Sequence, residues 1–428
     1  MCRLWRTWPI SLLLWDSTGA QSPGERGLLD GRIIREIRID GLKQTRRETV
    51  LRQLASKIGE PYTTGDEEAD RRLLDRLTIF SSIQVTPRLE GDGVVLNIRV
   101  KETFPYSLYP SISSTQENGI SVGPAFGAIN MAGRGIQMSL TSEFGGATNF
   151  SFRTKTPLLT QRRWWFETGY ARTMRDNNLF HFPEESKAAD ALAGYQISKS
   201  LRLIGQLSFL AISSTQAGVT LNGSGTDKIP TFSLGLQYDT RNLWTNSTSG
   251  WYFHIDSSRN GFFGGDGDWW THNAEFRRYQ KLSDRNTAAV FSLLSLQPGT
   301  PGRDLPAYMQ YGIGGTNAVR GWNIDARIGK NQWLSTVEYR YELVKVRPIR
   351  FFRYNAYWGI HLAVYGDLGT AWTEGEQFTK NFIGSGGYGI RLMVPYVGMI
   401  RFDRAYGNAL RPCWAIGDRV EIWRDRVR

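Results

Sequence analysis

The residue best placed for specific chemistry is Arg320, in the run GTNAVRGW at residues 315–322. A guanidinium presents planar, forked donors and holds carboxylates in pairs, with a geometry that lysine cannot copy. Val319 precedes it, Gly321 permits a tight backbone after it, and Trp322 offers a wedge. Nothing in the chain turns this into covalent catalysis. The two cysteines, Cys2 and Cys413, make neither a disulfide framework nor a thiolate metal site. His181, His254, His272 and His361 are scattered without ligand spacing. There is no nucleophile elbow and no phosphate loop; the GIGGTN run is loop glycine, because no βαβ unit surrounds it. The expectation is therefore a protein that is not an enzyme, with no catalytic residue, no metal and no cofactor.

The elements that position Arg320 are strands. From Phe104 onward the chain breaks into segments of about ten residues with period-two alternation, interrupted by Gly, Pro, Asn and Asp. Trp333, Val337, Tyr339, Tyr341 and Leu343 share one face, while Gln332, Thr336, Glu338, Arg340 and Glu342 share the other. Ile360, Leu362, Val364, Leu368 and Trp372 oppose His361, Tyr365 and Asp367. Tyr388, Ile390, Leu392 and Val394 oppose Arg391, and Ile400, Phe402 and Tyr406 oppose Arg401 and Asp403. Phe232, Leu234, Leu236 and Tyr238 oppose Gln237, Asp239 and Arg241.

One face is apolar and aromatic and the other is charged. A soluble sandwich would put the charged face outside; a membrane barrel puts the apolar face against lipid and the charged face in a wet lumen. Two features favour the barrel. Trp and Tyr fall near strand ends, as an interfacial girdle requires. About sixteen segments, between roughly 105 and 423, are joined by alternating short turns and long loops, as in outer-membrane barrels. The long connections are expected at about 174–188, 214–229, 299–331 and 372–384.

Residues 32–102 differ from this pattern. RIIREIRIDG places Ile33, Ile37 and Ile39 in alternation, apart from one extra Ile34. Val50, Leu51 and Leu54 have helical spacing. A second helix is expected to start in TTGDEE, with an acidic first turn suited to the helix dipole, and to carry Leu73, Leu74, Leu77 and Phe80 along one face. Two strands joined at Gly91-Asp92-Gly93 complete the order β-α-α-β-β. Ahead of this unit, Arg3 and Arg6, a short apolar stretch from Trp8 to Trp15, and Thr18-Gly19-Ala20 read as a signal peptide over 1–20, followed by a linker over 21–31. The formal charge of +12 is dispersed and forms no basic stripe on a recognisable module, so nucleic acid is not expected as a partner.

Together these residues resemble a known family. Residues 32–102 resemble a polypeptide-transport-associated (POTRA) domain, and 104–428 resemble the barrel of the BamA/TamA-like, or bacterial surface antigen, superfamily. The most specific mark is VRGW in the longest loop, before the STVEYR strand. NMAGRG (130–135), YDTRNLWTNSTSGWY (238–252), YGDLGTAW (365–372) and the hairpin 387–407 are similar to further family segments. The resemblance implies that the loop folds back into the barrel, with Arg320 paired to Glu338 and Asp367; alternation separately places both acids on the lumen face. Asp239, Arg241, Arg391, Arg401 and Asp403 are candidate supports on that same face.

The implied function is outer-membrane protein assembly and insertion, or polypeptide translocation. The implied partners are unfolded outer-membrane or secreted polypeptide clients and the lipid bilayer, with the barrel in a bacterial outer membrane and the POTRA domain in the periplasm. A dedicated secretion pore for one partner protein and a passive structural barrel or channel remain as alternatives. Only one POTRA domain is present, where the general assembly factor carries several and two-partner transporters usually two, so accessory periplasmic subunits stay open. The C-terminus ends in charge rather than on an aromatic residue, with Val420, Ile422 and Trp423 as the expected remainder of the last strand.

Overall fold

The computed structural model describes residues 29–416, except 76, 78, 116–117, 157–162, 178, 199, 243–245, 352–353 and 395–397. The expected signal peptide lies outside the described residues, as do Val420, Ile422 and Trp423.

The first unit runs β1 (Ile34–Asp40), α1 (Arg47–Gln53), α2 (Asp66–Asp75), β2 (Phe80–Glu90) and β3 (Gly93–Glu102). β3 is central, parallel to β1 and antiparallel to β2. Val50 of α1 and Leu74 of α2 pack onto Ile34, Ile37, Val94, Leu96 and Ile98 of the sheet. Asp66 accepts a hydrogen bond from the Thr63 amide at 3.0 Å, and three acids fill the first turn of α2, where the helix dipole favours negative charge.

Three details differ from the sequence expectations. The inward residues of β1 are Ile34 and Ile37, while Ile33 is exposed, because the register shifts between Ile34 and Glu36. Such a bulge turns a strand's face over. α1 stops at Gln53, with Leu54 already extended. α2 stops at Asp75; Leu77 closes a turn onto the Leu74 carbonyl, and Phe80 opens β2. The apolar residues expected along one helix are thus shared among helix, turn and strand, and Leu74, Leu77 and Phe80 still reach one core.

The rest is a 16-stranded antiparallel sheet whose strands pair in chain order. It comprises β4 (Tyr106–Thr115), β5 (Gly119–Met131), β6 (Ile136–Gly145), β7 (Thr148–Thr156), β8 (Trp164–Asp176), β9 (Pro183–Gln196), β10 (Leu201–Ser213), β11 (Thr226–Asp239), β12 (Gly250–Asn260), β13 (Trp269–Lys281) and β14 (Asn286–Leu296). After the long connection come β17 (Asn331–Phe351), β18 (Tyr354–Trp372), β19 (Ile383–Val394), β20 (Gly398–Tyr406) and β21 (Leu410–Ile416). Within that connection, β15 (Tyr311–Ile313) and β16 (Arg327–Gly329) form a separate two-stranded hairpin. The sixteenth strand therefore lies ahead of the expected terminal segment. The first long loop is shorter than expected, because β8 and β9 stay paired out to Asp176 and Pro183.

The alternating faces separate cleanly. Val337, Val364 and Tyr388 are 56%, 60% and 63% exposed on the outside, while Glu338, Asp367 and Arg391 are buried inside. A continuous exposed apolar surface around a polar interior is the inverse of a soluble domain and fits contact with lipid. The ends of the sheet, β4 and β21, approach each other without laddered pairing among the described residues, so the barrel has a seam.

Candidate functional site

The long loop folds into the barrel and puts Arg320 against the inner wall, fully buried. Its Nε and Nη2 donate to the two carboxylate oxygens of Asp367 on β18 at 2.8 and 2.9 Å, and its backbone amide adds a third bond at 3.2 Å. Nη1 donates to Asp403 on β20 at 2.9 Å. The guanidinium also lies over the Tyr365 ring, 3.0 Å from the centroid, as a cation–π contact.

Glu338 makes the longer ion pair with Arg320, at 3.9 Å, and accepts hydrogen bonds from Arg340 at 2.6 Å and Arg391 at 2.8 Å. Arg391 also donates to Asp403 at 2.6 Å. The result is an alternating chain, Arg340–Glu338–Arg391–Asp403–Arg320–Asp367, of three cations and three anions buried on β17 to β20 and the loop. Neighbouring opposite charges and hydrogen bonds offset the large cost of removing each ion from water. Arg401 lies beside this chain and donates to Asn317 of the loop at 3.0 Å. Asp239 and Arg241 are elsewhere: they pair with each other at 3.0 Å, and Arg241 stacks on Tyr252.

The rest of the motif fixes the loop's entry. Val319 is buried among Phe291, Leu293, Ile313, Leu334 and Ile383. Gly321 has φ +82°, and a Cβ there would sit 2.6 Å from the Gly407 nitrogen in the β20–β21 turn. Trp322 donates to the Gly384 carbonyl at 2.9 Å and packs against Gly407. The loop thus ties together the strands on one flank of the seam. The sequence reading singled out neither Arg340, Tyr365 nor Asn317 as part of the site. Alternation placed Arg340 and Tyr365 on the correct face, but Asn317 had no signal beyond its place in the loop.

The opposite flank is held from the other end. Glu102, the last residue of β3, accepts backbone amides of Lys43, Gln44 and Thr45 at 3.0, 2.9 and 2.8 Å. Thr45 in turn accepts from Asn130 at 2.8 Å. The Arg46 amide and the Thr49 hydroxyl both donate to the Gly133 carbonyl, at 2.9 and 2.8 Å. A Cβ at Gly133, which has φ +71°, would fall 2.2 Å from the Gln44 oxygen, so the NMAGRG turn between β5 and β6 needs glycine there. This clasp joins the small domain to the foot of the barrel's first strands. Burial pushes the Glu102 carboxyl upward, but the hydrogen bonds from Thr45, Lys43 and Gln44 outweigh it and hold the group below its ordinary range.

Comparison with known proteins gives a consistent picture. A family model described as the Omp85 superfamily domain matches residues 130–410, and one described as POTRA, surface antigen variable number repeat, matches residues 33–103. The outer membrane protein assembly factor BamA of Nitratidesulfovibrio vulgaris is 21% identical over 305 residues, covering 68% of this chain. This chain spans only 38% of that relative's length. Among solved structures, BamA from Haemophilus ducreyi lacking POTRA domains 1–3 has a TM-score of 0.60 at 15% identity, over 90% of this chain and 83% of that one. CdiB from Escherichia coli has a TM-score of 0.59 at 12% identity, over 96% and 93%. At such identities the likeness is one of fold.

Proposed function

The chain belongs to the Omp85 superfamily, and from that membership we propose that it is an outer-membrane factor that inserts or translocates polypeptides, with its POTRA domain at the periplasmic end. The observation that carries this reading is the POTRA sheet clasped at the foot of a seamed barrel. Residues 59–62 cover the start of β1, through bonds such as Ile34 amide to Glu60 carbonyl at 2.9 Å. The outer edge of β2 has no backbone partner among the described residues. An extended client adds to such an edge by β-augmentation, which reads backbone rather than sequence and so suits varied clients. The clasp then delivers a client held on β2 to the seam between β4 and β21. The buried Arg320 network keeps the loop inside while the seam stays unladdered.

The test is reconstitution of the full chain in liposomes with a photoreactive residue at Gln84, on exposed β2. A urea-unfolded outer-membrane barrel is supplied as client. Faster client assembly together with crosslinking at position 84 is the expected result. A chain that inserts but neither crosslinks nor speeds assembly would remove the insertase reading and favour a passive barrel.

A further inference from the structure

The lipid-facing side of β8 to β11 carries a feature that neither the loop nor the clasp uses. Cross-strand register aligns Arg172 with Lys187, Lys187 with Ala211, and Ala211 with Lys228. These four residues form one row on the outward face, close to the barrel end opposite the POTRA domain. The next outward row is Tyr170, Ala189, Phe209 and Pro230, and below it, Thr168 apart, the surface stays apolar to Trp164, Tyr195 and Leu203. Cations are costly facing hydrocarbon, yet three stand directly above such a band.

Their partners do not neutralise them. Glu185 lies between Arg172 and Lys187, at 2.8 and 3.1 Å. Lys228 is exposed, with no side-chain partner among the described residues. With the Asp266 carboxylate that accepts the Lys228 amide at 2.8 Å also counted, three cations against two carboxylates leave a net charge of +1 (3 − 2) at the row. Beside Lys228, the 261–267 turn carries Phe262, packed 6.3 Å from the lipid-facing Phe232, and Phe263, 83% exposed at φ +63°. An aromatic tip beside cations above an apolar band is the composition of a headgroup-level surface.

We propose that this row is a binding site for a phosphorylated lipid of the outer leaflet, with phosphates on Arg172, Lys187 and Lys228 and acyl chains along the apolar rows below. The width selects the ligand. Arg172 and Lys228 are three strands apart, roughly 14 Å at about 4.8 Å per strand. Two phosphates held apart on one headgroup meet cations across that spread, whereas a single phosphodiester would have to draw the long side chains together, so a bisphosphorylated glycolipid fits the row best. The site would give the outward face of β8 to β11 a fixed lipid neighbour, away from the seam. The inference rests on the membrane reading above.

The probe is bisphosphorylated lipid A, present at low mole fraction in neutral micelles around the full-length protein and counted by native mass spectrometry. Wild type is expected to retain at least tenfold more of it than of its phosphate-free counterpart. The triple variant Arg172→Gln, Lys187→Gln, Lys228→Gln is expected to lose at least tenfold in retention. Two controls accompany it. Lys187→Arg with Lys228→Arg keeps the charge and should keep the lipid. Arg278→Gln, which removes an outward cation stacked on Trp251 at the POTRA end, should change nothing. Equal retention of both lipids by wild type, full retention by a folded triple variant, or an equal loss in Arg278→Gln would each overturn the site. Should the triple variant fail to fold, loss of lipid from the Arg pair variant would overturn it. Failure of the wild-type chain to insert into liposomes would instead overturn the membrane reading itself, and the site with it.

Discussion

The two flanks of the seam are held by different chemistry. On the β17 to β21 side, a loop reaches in from the far end and is fixed by buried charges: Arg320 holds Asp367 and Asp403, and Arg391 holds Asp403 and Glu338. On the β4 to β6 side, the small domain is fixed through the Gly133 carbonyl, which accepts from Arg46 and Thr49, and through Asn130 on Thr45, while Glu102 within the small domain holds the 43–45 segment that makes these contacts. A buried charge network is stiff, because removing one member strands the others without water. The bonds that cross to Gly133 and Asn130 join neutral groups and are softer, each contributing about 0.5–1.5 kcal/mol net. The loop is therefore built to stay in one place, whereas the POTRA domain is joined by bonds weak enough to open one at a time.

The largest test of that contrast is Arg320→Ala. It leaves Asp367 and Asp403 facing each other in a buried site, and loss of one partner from a buried ion pair costs about 3–5 kcal/mol. The expected outcome is release of the 297–330 loop, read as new protease cleavage there, and loss of client assembly with barrel folding retained. Arg320→Lys keeps the charge but not the fork, so it should recover only part of the protection. Normal protection in Arg320→Ala would show that the loop is held by its apolar contacts instead.

Gly321→Ala is expected to come next. A non-glycine residue at φ +82° costs on the order of 1–3 kcal/mol, and its Cβ would meet the Gly407 backbone. Loop protection should fall, though less than in Arg320→Ala, because the ion pairs can survive a local shift. A double variant no worse than Arg320→Ala alone would show that the two residues act on one docked state.

These effects also mark what the sequence could and could not say. Period-two alternation identified the faces, because each side chain's direction follows from its parity along a strand. It could not say which acid lies nearest Arg320. Glu338 and Asp403 share the lumen face, and choosing between them depends on the stagger of β17 against β20 and on how deep the loop descends. Neither quantity is written in any one segment. The bulge after Ile34 hid the true inner face of β1 for a similar reason. The clasp was least legible of all, since amides and carbonyls carry its bonds and every residue supplies those. Only the glycines of NMAGRG pointed to it, and they read simply as a turn.

On the clasp itself, Thr45→Val removes the acceptor for Asn130 and should cost about 1 kcal/mol. Hydrogen exchange at the amides of Arg46 and Gly133 should rise, while loop 297–330 stays protected. Loosening of both flanks together would mean that the clasp and the buried ion-pair network form one unit.

The smallest effect is a pH dependence, and its sign follows from Glu102. The folded carboxyl sits below its ordinary range, so the folded state binds this proton less readily than the unfolded chain does. Its contribution is fully present above the unfolded value of about 4.3 and is lost as pH falls through the lower folded value. The clasp amides of Lys43, Gln44 and Thr45 should therefore stay protected from neutral pH down to that point and loosen only below it, after correction for intrinsic exchange rates. Glu102→Gln should show the loosened state at neutral pH and remove the acid step. Because the carboxylate is half-exposed, salt and water screen its charge, and the step should be shallow. Loosening that began near neutral pH would point to a different group and would remove Glu102 from this role.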